Sequence, residues 1–590
     1  MNLSAIYHTA TDNFCYPLNE DELVIKIQTG YDVDRVELVY GDPFSCGLFG
    51  GGDGWKGDLL EITDVMNLQY HKIWQVVVKP AFKRCRYFFV LHSGSEVYYM
   101  LEDSFKTADE FKNYKGRRQD FFFPWMNKVD IIKPSKWVND TVWYQIFPDR
   151  FCNSGRNCGD KYKPWASANK KVSNADSYGG DLQGVISKLD YLKDLGVSGI
   201  YFTPINESSS VHKYNTSDYK KIDSSFGTDD DIKQLVKEAH SRGIRIMLDG
   251  VFNHSGVDFM PWQDVLKNGE NSRYFNWFMV NKLPIKKSRM DANARNGVYY
   301  TFGFYDYMPK LNTNNQEVVD YLIEACVKWV KEYDIDAIRL DVADEISHDF
   351  NKQLRKAMFS LKPDFYICGE TWHNSMAWLR GDEFDSVMNY SLQESIDSFW
   401  NNTDTTAKDF ENRICGCLNM YPKQVNEVMF NLLDSHDTMR LINRSDNDED
   451  VFYQKLCALF TMNGTTCIYY GTEIALKGGY DPDCRRCMPW NDIESGVYNE
   501  KIATMKQIIQ MRKDNNELKN GNIRFINSGN DRVVVYDKYS EDSIVRVILN
   551  CSDKDFVVDE KYSDVIFGRK FEGNVVKSKG FLVVRIWAKH

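Results

Sequence analysis

From Thr141 onward one pattern recurs eight times: a short apolar run rich in β-branched residues, then a stretch whose apolar positions fall at helical spacing. This alternation leaves few folds open. A strand apolar on both faces must be covered on both, and helical crossovers between parallel strands supply that cover. The strand candidates are 141–147, 197–203, 244–251, 335–341, 364–370, 384–389, 428–434 and 466–470. The intervening helices are amphipathic, as in Val318, Val319, Leu322, Ile323, Cys326, Val327 and Val330, which fill one face at period 3.6. Eight such units predict an α/β fold, a (β/α)8 TIM barrel.

Shorter strands flank the barrel. The runs 23–28, 36–40, 73–79, 86–91 and 97–101, separated by Gly, Asp and Ser turns, read as an N-terminal β-sandwich module over 1–124. The barrel takes 125–510. An excursion at about 255–313 is too long to be a plain connection, so an inserted subdomain is expected after strand three. Beyond a helix around 501–512, the runs 532–536, 544–549 and 581–587 predict a C-terminal β-sandwich domain over 511–590.

Charge narrows the partners. Asp and Glu number 84 against 73 Lys and Arg, a net charge of −11, and the densest basic run is only Lys115-Gly116-Arg117-Arg118. Neither nucleic acid nor an anionic membrane is expected to bind. No stretch reaches the roughly 18 apolar residues of a membrane helix, and residues 1–13 lack a basic start followed by an apolar segment. A cytoplasmic protein is expected. Among 14 cysteines, Cys85, Cys326, Cys368 and Cys467 lie in apolar runs where reduced thiols pack as small hydrophobes, and Cys484 and Cys487 have no second pair at zinc spacing.

In such a barrel the polar residues at the C-terminal strand ends face one site. Strand three ends in Asp249, Asn253 and His254, strand four in Arg339 and Asp341, strand five in Glu370, and strand seven in His436 and Asp437. A single strand-end Asp commonly caps the next helix. Asp341, Glu370 and Asp437 arriving from three strands, with Arg339 and two histidines, describe a catalytic site instead.

Taken in order, Asp249-Gly-Val-Phe-Asn253-His254, Arg339-Leu-Asp341-Val-Ala-Asp344-Glu345, Glu370-Thr-Trp372 and His436-Asp437 resemble the signatures of the α-amylase superfamily, glycoside hydrolase family 13. Within it the chain is most similar to the neopullulanase, cyclomaltodextrinase and maltogenic amylase subfamily. The residues that carry this are Met308-Pro-Lys-Leu-Asn312, Tyr144-Gln-Ile-Phe-Pro-Asp-Arg150, His212-Lys-Tyr214 and Asp481-Pro-Asp483-Cys-Arg485-Arg486. The resemblance covers nearly the whole chain, and the N-terminal module looks like that subfamily's starch-binding type.

The resemblance implies a retaining hydrolase of α-1,4-glucosidic bonds in cyclodextrins, pullulan and short maltodextrins. Asp341 would be the nucleophile, with Arg339 two residues before it on the same side of an extended strand and so favouring its ionised form. Glu370, after the apolar Phe365, Tyr366 and Ile367, would be the acid, placed where desolvation favours the proton-bearing form. Asp437 would grip sugar hydroxyls at an oxocarbenium-like transition state. His254 and His436 would donate to the same sugar, and Tyr214 would stack on it with His212 alongside. Asp249 would orient Arg339 or touch substrate, Asp481 and Arg485 would hold the next sugar on the non-reducing side, and Trp372 and Phe302 would floor the leaving-group sites. Two positions depart from the subfamily pattern: Asp344 stands where Asn is usual and Cys487 where Pro is usual.

A calcium site is also implied, in the loop after strand one, from Asn153, Asn157, Asp160, Gly179 and Asp181. Calcium takes six to eight oxygens. This loop carries Gly155 where an Asp is common, and Arg156 adds positive charge, so bound calcium and a merely hydrated loop both stand open. No organic cofactor is implied. Phe44, in Tyr40-Gly-Asp-Pro43-Phe44 ahead of the Gly-rich stretch 47–54, matches an aromatic that the subfamily places over a partner's active site, which implies a homodimer through the N-terminal module. Two other enzymes on the same scaffold remain open, a transglycosylating maltogenic amylase and an α-glucosidase. From another class, a non-catalytic glucan-binding relative would have lost the nucleophile or the acid.

Overall fold

The structure, a computed structural model, describes residues 1–47, 55–114, 118–286, 291–559 and 561–586. The Gly-rich stretch beyond Gly47, the Lys115-Gly116-Arg117 part of the basic run and Trp587 at the end of the last predicted strand lie outside the described residues.

All eight barrel strands form: β1 (Val142–Ile146), β2 (Gly199–Phe202), β3 (Arg245–Gly250), β4 (Ala337–Leu340), β5 (Tyr366–Gly369), β6 (Ser386–Val387), β7 (Phe430–Asn431) and β8 (Thr465–Tyr469). They pair in the order β6-β5-β4-β3-β2-β1-β8-β7, and a parallel bridge from Met388 to Phe430 closes the ring. No edge is left unpaired.

Register decides what the barrel holds. Tyr201, Met247, Ala337 and Tyr366 are partners across β2, β3, β4 and β5, and all are buried in one apolar cluster with Trp143, Phe430 and Cys467. Gly199 makes room for this layer, since a Cβ there would lie 2.6 Å from the Trp143 ring. Two residues further along each strand the side chains again face inward, and the next row reads Asp249, Arg339 and Cys368. Two residues further still stand Asp341 and Glu370, just past the ends of β4 and β5. An apolar floor thus carries a charged upper layer on the same strands.

The expected insertion after β3 contains a helix, Met260–Asn268, a short helical turn, Ala292–Arg295, and irregular chain tied by the bridges Val280 to Tyr299 and Thr301 to Pro309. Its core is aromatic, with Trp262 edge-on to Phe278 and Tyr299, both at 4.8 Å. Toward the C-terminus six strands appear among the described residues where three were predicted. Hydrogen bonds join them all into one antiparallel sheet through the long strand Val575–Ile586.

The chain packs as two compact units, Met1–Pro134 with Leu379–Gly381 and Thr405–Asn426, and the remainder. The first unit contains the predicted N-terminal strands in two sheets over a core that includes Leu23, Ile25, Trp74, Tyr87 and Phe89. The helix Ala407–Met420, which the sequence assigns to the barrel, packs in this unit. Polar pairings hold it there: Asn13 donates to the Asn419 carbonyl and Lys26 to the Asn419 side-chain oxygen, and in the following helix, Lys423–Asn426, the Gln424 amide donates to the Pro17 and Leu18 carbonyls.

Candidate active site

The strand ends of the barrel open into a cavity of about 520 Å³. Of the residues predicted for the site, His212, Tyr214, His254, Phe302, Asp341, Glu370, Trp372, Asp437, Asp481 and Arg485 line it. Asp249, Arg339 and His436 lie buried and reach it through hydrogen bonds.

Arg339 organises the floor. One of its terminal nitrogens, Nη1, donates to both oxygens of Asp249 at 2.9 and 3.0 Å and to Asp341 Oδ1 at 2.9 Å, while Nη2 stands 2.8 Å from Glu370 Oε2. The guanidinium is fully buried, so three carboxylates share one cation in a low-dielectric site. From the sequence, Arg339 was expected to hold Asp341 ionised. Here burial acts the other way and pushes its carboxyl well above the ordinary range, with Arg339 opposing and Glu370 adding to the rise. Asp249 is likewise raised by burial, to about 6. Desolvation is the leading cause at both residues, and the neighbouring negative charges add to it.

The backbone between the two key carboxyls is strained. Val342 adopts φ 45° and ψ 49°, a left-handed conformation costly for a β-branched residue, and its N–H donates to Glu370 Oε2 at 3.0 Å. The conformation thus ties the residue after Asp341 to the carboxyl of Glu370.

A second network surrounds His436. The Gln145 amide donates to His436 Nδ1 at 2.7 Å, which leaves the proton on Nε2, 3.1 Å from Asp437 Oδ2 and bonded to the Tyr214 hydroxyl. Tyr214 in turn donates to Asp249 Oδ2 at 3.0 Å and stacks on His436 at 5.3 Å and 5°. Burial lowers His436 well below the usual histidine value, His212 to about 4 and His254 to about 3, so all three are neutral. The Tyr214 N–H donates to His212 Nδ1, so the proton of that ring is on Nε2. His254 is more fully engaged by protein than the sequence suggests, its Nε2 donating to the Tyr214 carbonyl at 3.0 Å and its ring stacked on Phe302. Arg485 joins Asp437 at 3.2 Å to Asp481 at 2.8 Å.

Met308, Val342, Asp344 and Glu345 line the cavity from within the motifs without having been assigned to the site, and Asn174, which accepts from Arg485 at 3.1 Å, and Tyr305 and Tyr307 from the insertion lie outside any motif. Only the aromatic density of 299–307 signals the tyrosines. Phe44 belongs to the first unit, 44% exposed, with the Arg84 guanidinium 4.7 Å over its ring.

The residues proposed for calcium do not suit a cation. Asn153 turns its NH₂ toward the Asn157 and Tyr178 carbonyls, and Asn157 turns its NH₂ toward those of Gly179 and Ser225. The Asp181 carboxylate accepts from Gly184 N and the Ser154 hydroxyl, both at 2.6 Å, Arg156 pairs with Asp231, and Asp160 is exposed. Amide hydrogens fill the space where oxygens would converge on an ion. Among the described residues no cluster of three or more His, Cys, Asp or Glu side chains could hold a metal. Adding a chelator should therefore move the melting temperature by no more than about 1–2 °C. A drop several times larger on calorimetry would show that the loop binds metal.

Residues 145–523 match the family described as alpha amylase, catalytic domain, and residues 1–124 match its N-terminal ig-like domain. The chain is 43% identical over 564 residues to a cyclomaltodextrinase of Geobacillus thermopakistaniensis (strain MAS1), covering 94% of this chain and 92% of the relative. It is 39% identical over 553 residues to an intracellular maltogenic amylase of Bacillus subtilis (strain 168), covering 91% of each. A solved cyclomaltodextrinase superposes with a TM-score of 0.89 at 36% identity, over 99% of this chain and all of the other.

Proposed function

The chain belongs to the α-amylase family of glycoside hydrolases, and on that premise we propose that it cleaves α-1,4-glucosidic bonds of cyclodextrins, pullulan and short maltodextrins with retention of configuration. The observation that carries this reading is the single guanidinium of Arg339 spanning Asp341 and Glu370, with Asp437 in the same cavity. Two carboxyls held on one guanidinium suit the separation of about 5–5.5 Å that a retaining pair needs.

In the first half-reaction Asp341 attacks the anomeric carbon while Glu370 gives its proton to the departing glycosidic oxygen. In the second Glu370 takes a proton from water as that water displaces Asp341. Asp437 and the Nε2–H of His212 hold hydroxyls of the reacting sugar, His436 holds Asp437 and the Tyr214 hydroxyl in place, and Tyr214 stacks beneath that sugar.

A pH consequence follows from the raised carboxyls. Attack needs Asp341 ionised, so kcat/KM should fall as pH drops, with a midpoint above the ordinary Asp value of about 4. Asp249→Asn, which removes one negative charge from the set, should move that midpoint to lower pH. An unmoved acid limb would contradict the shared-charge account.

Incubation with β-cyclodextrin, pullulan, maltotriose and soluble starch, with products resolved by chromatography, tests the substrate reading. Ring opening faster than starch cleavage supports it, and a clear preference for starch overturns it. The intracellular description of the Bacillus subtilis relative supports a cytoplasmic location. No helix among the described residues is long and apolar enough to cross a membrane. The exposed Phe44 supports a homodimer whose N-terminal module narrows the partner's cleft. Phe44→Ala is then expected to lower the ratio of cyclodextrin to starch activity about threefold or more, and sedimentation of the parent should report a dimer. A monomeric parent, or an unchanged ratio, contradicts the arrangement.

A further inference from the structure

The loop after β4 presents two carboxylates beyond Asp341 to the cavity, Asp344 and Glu345, and each meets a cation from a different element. Glu345 is held by Lys310 of the insertion, whose ammonium donates to its carboxylate at 3.0 Å and to its carbonyl at 3.1 Å. Asp344 is held by His373, which follows Trp372 in the segment after β5, with Nε2 2.8 Å from Asp344 Oδ2. The difference lies in the cations, since the lysine stays charged across the neutral range and the histidine does not.

Both ring nitrogens of His373 face acceptors. Nδ1 stands 3.0 Å from the Asn374 carbonyl and Nε2 faces the Asp344 carboxylate, so only the imidazolium can make both bonds. The Asn374 carbonyl and Asp344 raise the ring above the ordinary histidine value. The other group facing His373 is the ring of Trp378 at 5.7 Å, itself stacked on His348, which pairs with Glu383.

This contact lies on the side where a leaving group departs and an acceptor arrives. Trp372, one residue before His373, lines the cavity, stacks on Tyr390 at 3.5 Å and has its indole nitrogen 3.4 Å from Glu370 Oε1. Asp344 commits Oδ2 to His373, which fixes the carboxylate and leaves Oδ1 to accept from a sugar hydroxyl. A carboxylate fixed in advance binds such a hydroxyl with less ordering cost than a free one.

We propose that Asp344 is a specificity-determining residue for the acceptor sugar and that His373 is its positioning residue, so that protonated His373 favours transfer of the glycosyl group to sugar over its transfer to water. The proposal rests on the retaining reading above. In the transfer step an acceptor hydroxyl gives its proton to Glu370 as its oxygen bonds to the anomeric carbon, and the Asp341 carboxylate leaves with the electron pair of the ester bond. The sign follows from the raised histidine: the clamp is intact below the free-histidine value and is lost as pH rises through the value in the folded protein.

The test uses the full chain with β-cyclodextrin as donor and glucose as acceptor, and measures the apparent KM for glucose and the ratio of transfer to hydrolysis from about pH 5.5 to pH 8.5. The acceptor KM of the parent should rise about two- to fivefold across that range, the scale expected of one half-exposed ion pair. Asp344→Asn should flatten the dependence, and His373→Lys, which keeps a cation throughout, should flatten it at the low-KM level. A pH dependence retained in Asp344→Asn overturns the proposal. A parallel NMR titration of His373 reads the pairing without any turnover, and the ring should titrate lower in Asp344→Asn than in the parent. An unchanged titration overturns the pairing, whereas a parent that neither hydrolyses nor transfers overturns the functional reading itself.

Discussion

Asp341→Asn is expected to lower turnover on every glucan by at least about a thousandfold, because an amide cannot form the glycosyl ester on which the two-step reaction depends. The fold should survive. Asn fills the same volume, and its amide oxygen can still accept from Arg339 Nη1, which keeps Asp249 on its other bonds. One negative charge leaves a set of three that shares a single guanidinium, so the variant sheds repulsion rather than a needed partner. Near-ultraviolet circular dichroism and the melting temperature should match the parent within a few degrees. Turnover within tenfold of the parent would remove Asp341 from the nucleophile role.

The next largest effect is expected at Glu370, and it should depend on the substrate. Glu370→Gln removes the proton that a sugar leaving group needs, so hydrolysis of maltotriose or cyclodextrin should fall by about 10²–10⁴-fold. An aryl glucoside whose phenolate leaves unaided should lose far less in the first step. Arg339 Nη2 and the Val342 N–H both reach Glu370 Oε2, and a Gln oxygen can take that place, so the geometry around Val342 is retained. Equal losses on both kinds of substrate would mean that Glu370 acts by holding Arg339 or the Val342 turn and not by moving a proton.

The barrel was legible because its strands are apolar on both faces, a pattern that only covered parallel strands satisfy. The strand-end residues were legible for a related reason. Once register fixes which side chains face inward, Asp249, Arg339, Asp341 and Glu370 fall on the interior by counting in twos. Other parts left no periodic trace. The strands Cys15–Pro17, Asp58–Ile62, Asp64–Asn67, Phe105–Thr107 and Phe121–Phe123 span three to five residues, too short for alternation to register. The helix Ala407–Met420 shows an apolar face at the right spacing, but spacing does not say which unit covers it, and buried polar groups such as Asn419 decide that.

The site shows the same division. Residues at or near barrel strand ends, such as Asp341 and Glu370, and those within the short motifs were found, whereas Asn174, Tyr305 and Tyr307 come from irregular chain outside both, whose path only tertiary packing sets. The electrostatics were half legible. Arg339 two residues before Asp341 was read as favouring its ionised form, with Asp249 orienting the arginine, but the fold buries the whole set and brings Glu370 to the same guanidinium, and burial first, then the added charge, reverse the effect on Asp341. The loop considered for calcium was left open for a comparable reason: Asn supplies either an oxygen or an NH₂, and at 153 and 157 the NH₂ groups turn to nearby carbonyls.

The central claim is a double displacement through Asp341 with Glu370 as acid and then base, and the configuration of the first product reports it most directly. Proton NMR during the opening of β-cyclodextrin, at enzyme concentrations high enough to outrun mutarotation, resolves the α and β anomeric protons of the new reducing end. The account predicts that the α signal appears first and the β signal grows only at the rate of spontaneous mutarotation. A β signal that leads, which a single displacement by water across a wider carboxyl pair would produce, contradicts it.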